Sequence, residues 1–160
     1  MIEGARRVGK STVVEAFGKK EYESYIMIDF SIASPAVREL FKDLSDLNFL
    51  FLQLQLQYRT DLVERKSLII FDEVQLFPPA RQAIKALVKD GRYDYIETGS
   101  LISIKKNVKD ILIPSEERKL SMYPMDYEEF LWALGDQTTI KLFKSSFENR
   151  KPVGEKATRT

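Results

Sequence analysis

Apolar and polar positions divide the chain into short segments with different periods. Runs rich in strand-forming residues predict four strands, at Tyr25–Phe30, Ser67–Phe71, Tyr93–Thr98 and Lys119–Tyr123. In the run at Ser67–Phe71, every residue after Ser67 is apolar, which is typical of a strand buried on both faces.

Helical segments lie between these strands. Helices are predicted over Lys10–Phe17, from Ser34 to about Leu44, over Pro78–Lys89 and from Asp126 to about Leu134. Ser34 before Pro35 indicates a helix start, and Asp126 with Glu129 forms a capping box. Residues 48–58 are ambiguous. Their alternate leucines suggest a strand, but a position between two parallel strands favours a helical crossover, which we predict.

Alternating strands and helices predict an α/β fold with a mostly parallel sheet. The chain has 160 residues, which suits one domain with a buried core. We expect this domain at residues 1–136. A polar tail without a recognisable element is expected at residues 137–160.

The composition narrows the possible chemistry. The chain has no cysteine and no histidine, so thiolate and imidazole catalysis are excluded, and any metal must have oxygen ligands, which favours Mg²⁺. A net charge of +1 does not indicate nucleic acid as a partner, although it does not exclude one. No apolar run reaches the ~20 residues of a membrane span, and a cytoplasmic location is the default expectation.

The segment Gly4–Ser11 matches the phosphate-binding pattern G-x-x-x-x-G-K-[ST] at every fixed position. The glycines allow the backbone to curl around phosphates, and the following helix adds its positive end. Lys10 would reach the β and γ phosphates, Ser11 would ligate Mg²⁺, and Thr12 would contact the α phosphate. Arg6 and Arg7 could face either phosphate or solvent. The candidate nucleotide-binding residues are Gly4, Ala5, Arg6, Arg7, Val8, Gly9, Lys10, Ser11 and Thr12.

Two carboxylates, Asp72 and Glu73, follow the buried strand at Ser67–Phe71. Ligands bind at the carboxyl ends of strands in open α/β sheets. Asp72 would therefore hold Mg²⁺ through its water ligands, alongside Ser11, and Glu73 would orient the attacking water. Gln75 could assist with that water or cap the loop, and we favour the second role.

Further candidate site residues, with weaker sequence signals, lie at and beyond the strand at Tyr93–Thr98. Its end would face the γ phosphate, so Thr98 is a candidate catalytic residue beside Glu73 and Lys10, with Ser100 as second choice. Arg118 could be an arginine finger or a charge at a strand edge. The cluster of Lys105, Lys106 and Lys109 is interpreted as a solvated surface rather than a nucleic-acid site.

With these motifs placed, the chain resembles prokaryotic predicted ATPases of the AAA-type P-loop superfamily. The resemblance rests on residues 4–12, on Phe-Asp-Glu-Val-Gln at 71–75, on Thr-Gly-Ser at 98–100 and on residues 123–131. It implies a three-layer P-loop NTPase fold of the additional-strand, catalytic-glutamate type, with ATP and Mg²⁺ as cofactors. It also implies that the strand before the phosphate loop is reduced to Met1-Ile2-Glu3, so that the chain is expected to be truncated at both ends and to lack a C-terminal domain.

Three functions remain open at this stage. The leading expectation is an ATP-hydrolysing switch, acting on an unknown protein partner. The alternatives are a nucleotide-dependent binding module with negligible turnover, and a nucleic-acid-dependent ATPase.

Overall fold

The computed structural model describes residues 1–100 and 117–153. The strands are β1 (Ile2–Gly4), β2 (Ser24–Asp29), β3 (Ser67–Asp72), β4 (Asp94–Ser100) and β5 (Leu120–Met122). The α-helices are α1 (Lys10–Glu21), α2 (Pro35–Glu39), α3 (Leu47–Tyr58), α4 (Pro78–Asp90), α5 (Tyr127–Ala133) and α6 (Thr139–Glu148), and a 3₁₀ turn spans Val74–Leu76. Within the described residues no helix is long and apolar enough to cross a bilayer.

The five strands form one parallel sheet in the order β2-β3-β4-β1-β5. The predicted parallel α/β architecture is therefore confirmed. Although β1 has only three residues, it pairs with β4 on one side and with β5 on the other. As expected, β4 lies between the two strands that carry the motifs, β3 and β1.

Helices cover both faces of the sheet. On one face, Val14 of α1 packs against Leu68 and Ile70 of β3. On the other face, α3 and α4 pack against Ile69 and Phe71 of the same strand. The alternation of side chains along β3 thus places two hydrophobic cores on opposite sides of one strand, as the uninterrupted apolar run predicts.

The segment at residues 47–58 is a helix, as predicted. Its alternate leucines, which suggested a strand, lie on both the buried and the exposed sides of the helix. The carboxylate of Asp46 caps the helix by accepting a hydrogen bond from the Phe49 N–H at 3.0 Å. Leu50 and Leu54 are buried, whereas Leu52 and Leu56 are more than half exposed. Exposed leucines therefore interrupt the pattern of a typical amphipathic helix.

Helix α2 ends at Glu39, so the predicted extent to about Leu44 is wrong. Ser34 caps its start as expected, accepting a hydrogen bond from the Val37 N–H at 3.2 Å. Beyond Glu39 the backbone changes to i→i−3 hydrogen bonds, and Phe41, 2% exposed, enters the aromatic part of the core. Burial of this ring favours the tighter turn over a longer helix.

The chain divides into two compact units, Met1–Tyr123 and Pro124–Thr160. In the second unit, the predicted capping box of Asp126 and Glu129 is confirmed at the start of α5. The expectation of no element after Gln137 is wrong, because α6 spans Thr139–Glu148.

Helix α6 is stabilised at its start and along its side. The Asp136 carboxylate accepts hydrogen bonds from the side chain and backbone of Thr139 and from the backbone of Thr138, which lower the pKa of Asp136 to about 2. The ring of Phe143 stacks on Tyr127 of α5, with centroids 6.2 Å apart. The Asp136 contacts therefore hold the start of α6, and the Phe143 ring packs the side of the helix against α5.

Candidate functional site

The loop between β1 and α1 depends on two glycines for different reasons. Gly9, directly before α1, has φ 91°, a left-handed conformation that glycine adopts without steric cost. Gly4 ends β1 against the neighbouring strand, where a Cβ atom would lie 2.2 Å from the carbonyl oxygen of Met122. Gly4 is therefore needed for the close approach of β1 and β5.

Lys10 folds back over this loop from the first turn of α1. Its side chain is 4% exposed, and its ammonium group donates to the carbonyl oxygens of Ala5 at 2.8 Å and Gly4 at 3.5 Å. The positive charge thus lies at the mouth of the loop, next to the amino end of α1. Arg6 and Arg7 are exposed, as is Thr12, while Val8 is half-buried.

Asp72, at the carboxyl end of β3, joins the loop to the neighbouring strand. Its Oδ1 atom accepts a hydrogen bond from the Ser11 hydroxyl at 2.9 Å and a second one from the Thr98 hydroxyl. Parallel strands end at the same edge of the sheet, and β4 lies between β3 and β1. The fold therefore brings Ser11, Asp72 and Thr98 together from three separate parts of the sequence.

Glu73 begins the 3₁₀ turn that follows β3, with a left-handed backbone at φ 53°. Its N–H donates weakly to the Thr98 hydroxyl at 3.4 Å, and its carboxylate accepts a hydrogen bond from the side-chain amide of Gln75. Gln75 is 2% exposed. The contact differs from the loop-capping role that the sequence favoured for Gln75.

Thr98 is fully buried, and its hydroxyl is shared between Asp72 and the backbone of Glu73. In this arrangement it holds the ends of β3 and β4 together. Ser100, also buried, ends β4 opposite Gly4 in the strand register. Thr98 and Ser100 therefore lie at the sheet edge that carries the glycine loop, as expected.

Arg118 lies at the amino ends of the strands, opposite the edge that carries the glycine loop. In the parallel register Leu120 pairs with Ile2, so Arg118 precedes the amino end of β5. Its position supports the interpretation as a strand-edge charge, because the glycine loop begins where β1 ends. Lys105, Lys106 and Lys109 lie outside the described residues.

The sequence did not single out a buried polar cluster on the α4 side of the sheet. Arg81 of α4, 1% exposed, forms an ion pair with Glu117 at 3.1 Å. Glu97 of β4, 4% exposed, lies near this pair, and burial raises the pKa of Glu97 to about 7. Two features of the sequence could have indicated this cluster: Arg81 directly follows the buried Ala80, and Glu97 lies inside a strand. Each is ambiguous by itself.

The parallel sheet, its two helical layers and the glycine loop leading into α1 define a P-loop NTPase-like three-layer fold. The sequence model of the family described as AAA domain matches residues 1–131. The chain therefore belongs to the AAA domain family, whose members bind nucleotide, usually with Mg²⁺. Comparison with curated proteins gives no match.

Proposed function

We propose that the chain binds MgATP at the edge of the sheet and hydrolyses it, using the nucleotide state to drive a conformational switch. The observation that carries this proposal is the hydrogen bond of 2.9 Å between the Ser11 hydroxyl and Asp72. It joins the residue after the loop lysine to the acidic end of β3, which is the arrangement that a metal-bound triphosphate requires.

The oxygen atoms of Ser11 and Asp72 are suitable for a Mg²⁺ site. Ser11 and Asp72 offer hydroxyl and carboxylate oxygens, which are the ligands that this ion prefers. Among the described residues no cluster of three or more acidic, histidine or cysteine side chains could hold a metal by itself. Mg²⁺ keeps several water ligands in nucleotide sites, so Ser11 would bind the ion directly and Asp72 would hold it through water, with phosphate oxygens completing the site. The ion would neutralise charge on the phosphates.

Lys10 and Glu73 would have complementary roles. The Lys10 ammonium lies within hydrogen-bonding distance of loop carbonyls, and we propose that phosphate oxygens replace these acceptors when ATP binds. Residues 4–12 would surround the phosphates. Glu73 would accept a hydrogen bond from the attacking water, and Thr98 would hold Asp72 and Glu73 in register.

Two substitutions separate binding from turnover. Lys10→Ala should weaken MgATP binding about 10- to 100-fold, because it removes a hydrogen bond from a charged donor. Glu73→Gln should keep MgATP affinity and lower the rate of phosphate release at least about 100-fold. The measurements are a fluorescence titration with labelled MgATP and a steady-state assay of released phosphate.

Exposed residues of α1 provide matched controls. Lys20, 83% exposed, and Glu21, 47% exposed, lie on the helix that Lys10 begins. Lys20→Ala and Glu21→Gln should leave binding and turnover unchanged. The proposed catalytic role of Glu73 is wrong if Glu73→Gln releases phosphate as fast as the parent chain.

A nucleotide-binding module with negligible turnover is the second candidate. The Gln75 amide occupies one oxygen of the Glu73 carboxylate, Oε2, so a chain that failed to present the other oxygen to water would bind nucleotide without turnover. In that case the parent chain would bind MgATP tightly, and its phosphate release would equal that of Glu73→Gln.

A further inference from the structure

Gln75 is one of the largest fully buried side chains of the described structure, yet it is polar and lies two residues beyond Glu73. The 3₁₀ turn explains how the two side chains meet. The left-handed backbone of Glu73 starts the turn, and the Leu76 N–H donates to the Glu73 carbonyl at 2.9 Å. The chain folds back, and the Gln75 amide N–H reaches the Glu73 atom Oε2.

The other end of the Gln75 side chain is the amide oxygen, Oε1. Within the part of the chain that the structure describes, its Oε1 atom is buried and accepts no hydrogen bond. The reverse orientation of the amide would place this oxygen against a carboxylate oxygen of Glu73, which is repulsive. A buried, unpaired oxygen is unfavourable for folding, so an apolar side chain would suit the fold alone better.

We propose that Gln75 is a positioning residue for Glu73. Its amide holds one carboxylate oxygen, Oε2, and thereby directs the second oxygen, Oε1, toward the water that attacks the γ phosphate. This inference rests on the proposed hydrolysis of ATP and specifies how the site orients its carboxylate. The hydrogen bond restricts rotation of the Glu73 side chain. Without it, Oε1 could rotate out of line with the attacking water and the phosphate.

One substitution removes the donor and nearly keeps the shape. Gln75→Met has similar length and no N–H group. It should leave MgATP affinity within about twofold and lower kcat by about 100-fold, because a misdirected carboxylate affects chemistry more than binding. Gln57→Leu, at an exposed glutamine of α3, is the control and should change neither quantity.

A structural role for Gln75 predicts a different result. Loss of packing would lower the unfolding temperature and MgATP affinity together, whereas the positioning role lowers kcat alone. A double-mutant cycle adds a second readout. In the Glu73→Gln background, Gln75→Met should have no further effect on kcat, because the carboxylate that it orients is already absent.

The outcomes separate this inference from the proposed function. A parent chain that binds MgATP without measurable turnover would overturn both. A parent that turns over, with Gln75→Met equally fast, would overturn only the positioning role. A higher kcat in Gln75→Met would also overturn it, because the contact would then restrain Glu73 instead of directing it.

Discussion

Replacing Glu97 with glutamine should remove a specific pH dependence from the stability of the fold. Glu97 lies in β4, 4% exposed, and burial raises the pKa of its carboxyl to about 7 from an ordinary value of 4.5. Nearby Arg81 acts in the opposite direction, whereas Glu117 adds to the rise. The folded chain therefore retains a proton on Glu97 at pH values where the unfolded chain has released it.

The sign and size of the effect follow from this difference. Between pH 4.5 and about 7 the folded state binds more protons than the unfolded state, so stability falls as the pH rises through this window. At about 1.4 kcal/mol for each pKa unit, the interval corresponds to about 3 kcal/mol. Glutamine resembles the protonated carboxyl in shape and does not titrate. The free energy of unfolding of Glu97→Gln, relative to that of the parent, should therefore increase by about 3 kcal/mol across the window.

Thermal unfolding from pH 5 to pH 8.5 tests this prediction. For a chain of this size, about 3 kcal/mol corresponds to about 6–12 °C in the midpoint. The difference in midpoint between Glu97→Gln and the parent should therefore increase by about this amount over the range. Exposed Glu21→Gln is the control and should follow the parent. An equal difference at both ends of the pH range would refute the argument from burial.

Three further substitutions test the packing that supports the site. Gly4→Ala should destabilise the fold by about 1–3 kcal/mol in urea unfolding, because its Cβ atom would lie 2.2 Å from the Met122 carbonyl oxygen; an unchanged midpoint would contradict this. Arg81→Met should cost about 3–5 kcal/mol, because the buried Glu117 carboxylate loses its partner, and adding Glu117→Gln should restore part of the loss. Ser34→Ala should cost about 1 kcal/mol in thermal unfolding through loss of the α2 cap, unless solvent replaces the hydroxyl.

Local patterns in the sequence were sufficient for much of the fold. Alternating strands and helices predicted the parallel sheet, and the glycines before the helix start predicted a curled loop, in which Gly9 has φ 91°. The capping box at Asp126 required only residues within one helical turn. Each of these features depends on backbone preferences and on neighbours close in sequence, so it can be predicted without knowledge of the whole structure.

Element ends depended on packing and were less predictable. Helix α2 stops early because Phe41 enters the core, which no local window of sequence shows. Tertiary contacts therefore overrode the local preference at α2. Helix α6 was missed for another reason, because its apolar residues Ile140, Phe143 and Phe147 recur at helical spacing within a segment of mostly polar composition.

The sequence by itself determined the candidates for phosphate and metal binding, through the spacing of Gly4, Gly9, Lys10 and Ser11 and the acidic end of β3. Only the tertiary structure decided how they meet. It joins Ser11 to Asp72 across 61 positions and assembles the buried cluster around Arg81 from α4, β4 and the segment before β5. A hydrogen bond or a raised pKa depends on distance and burial in three dimensions, and neither quantity is encoded in the spacing of residues along the chain.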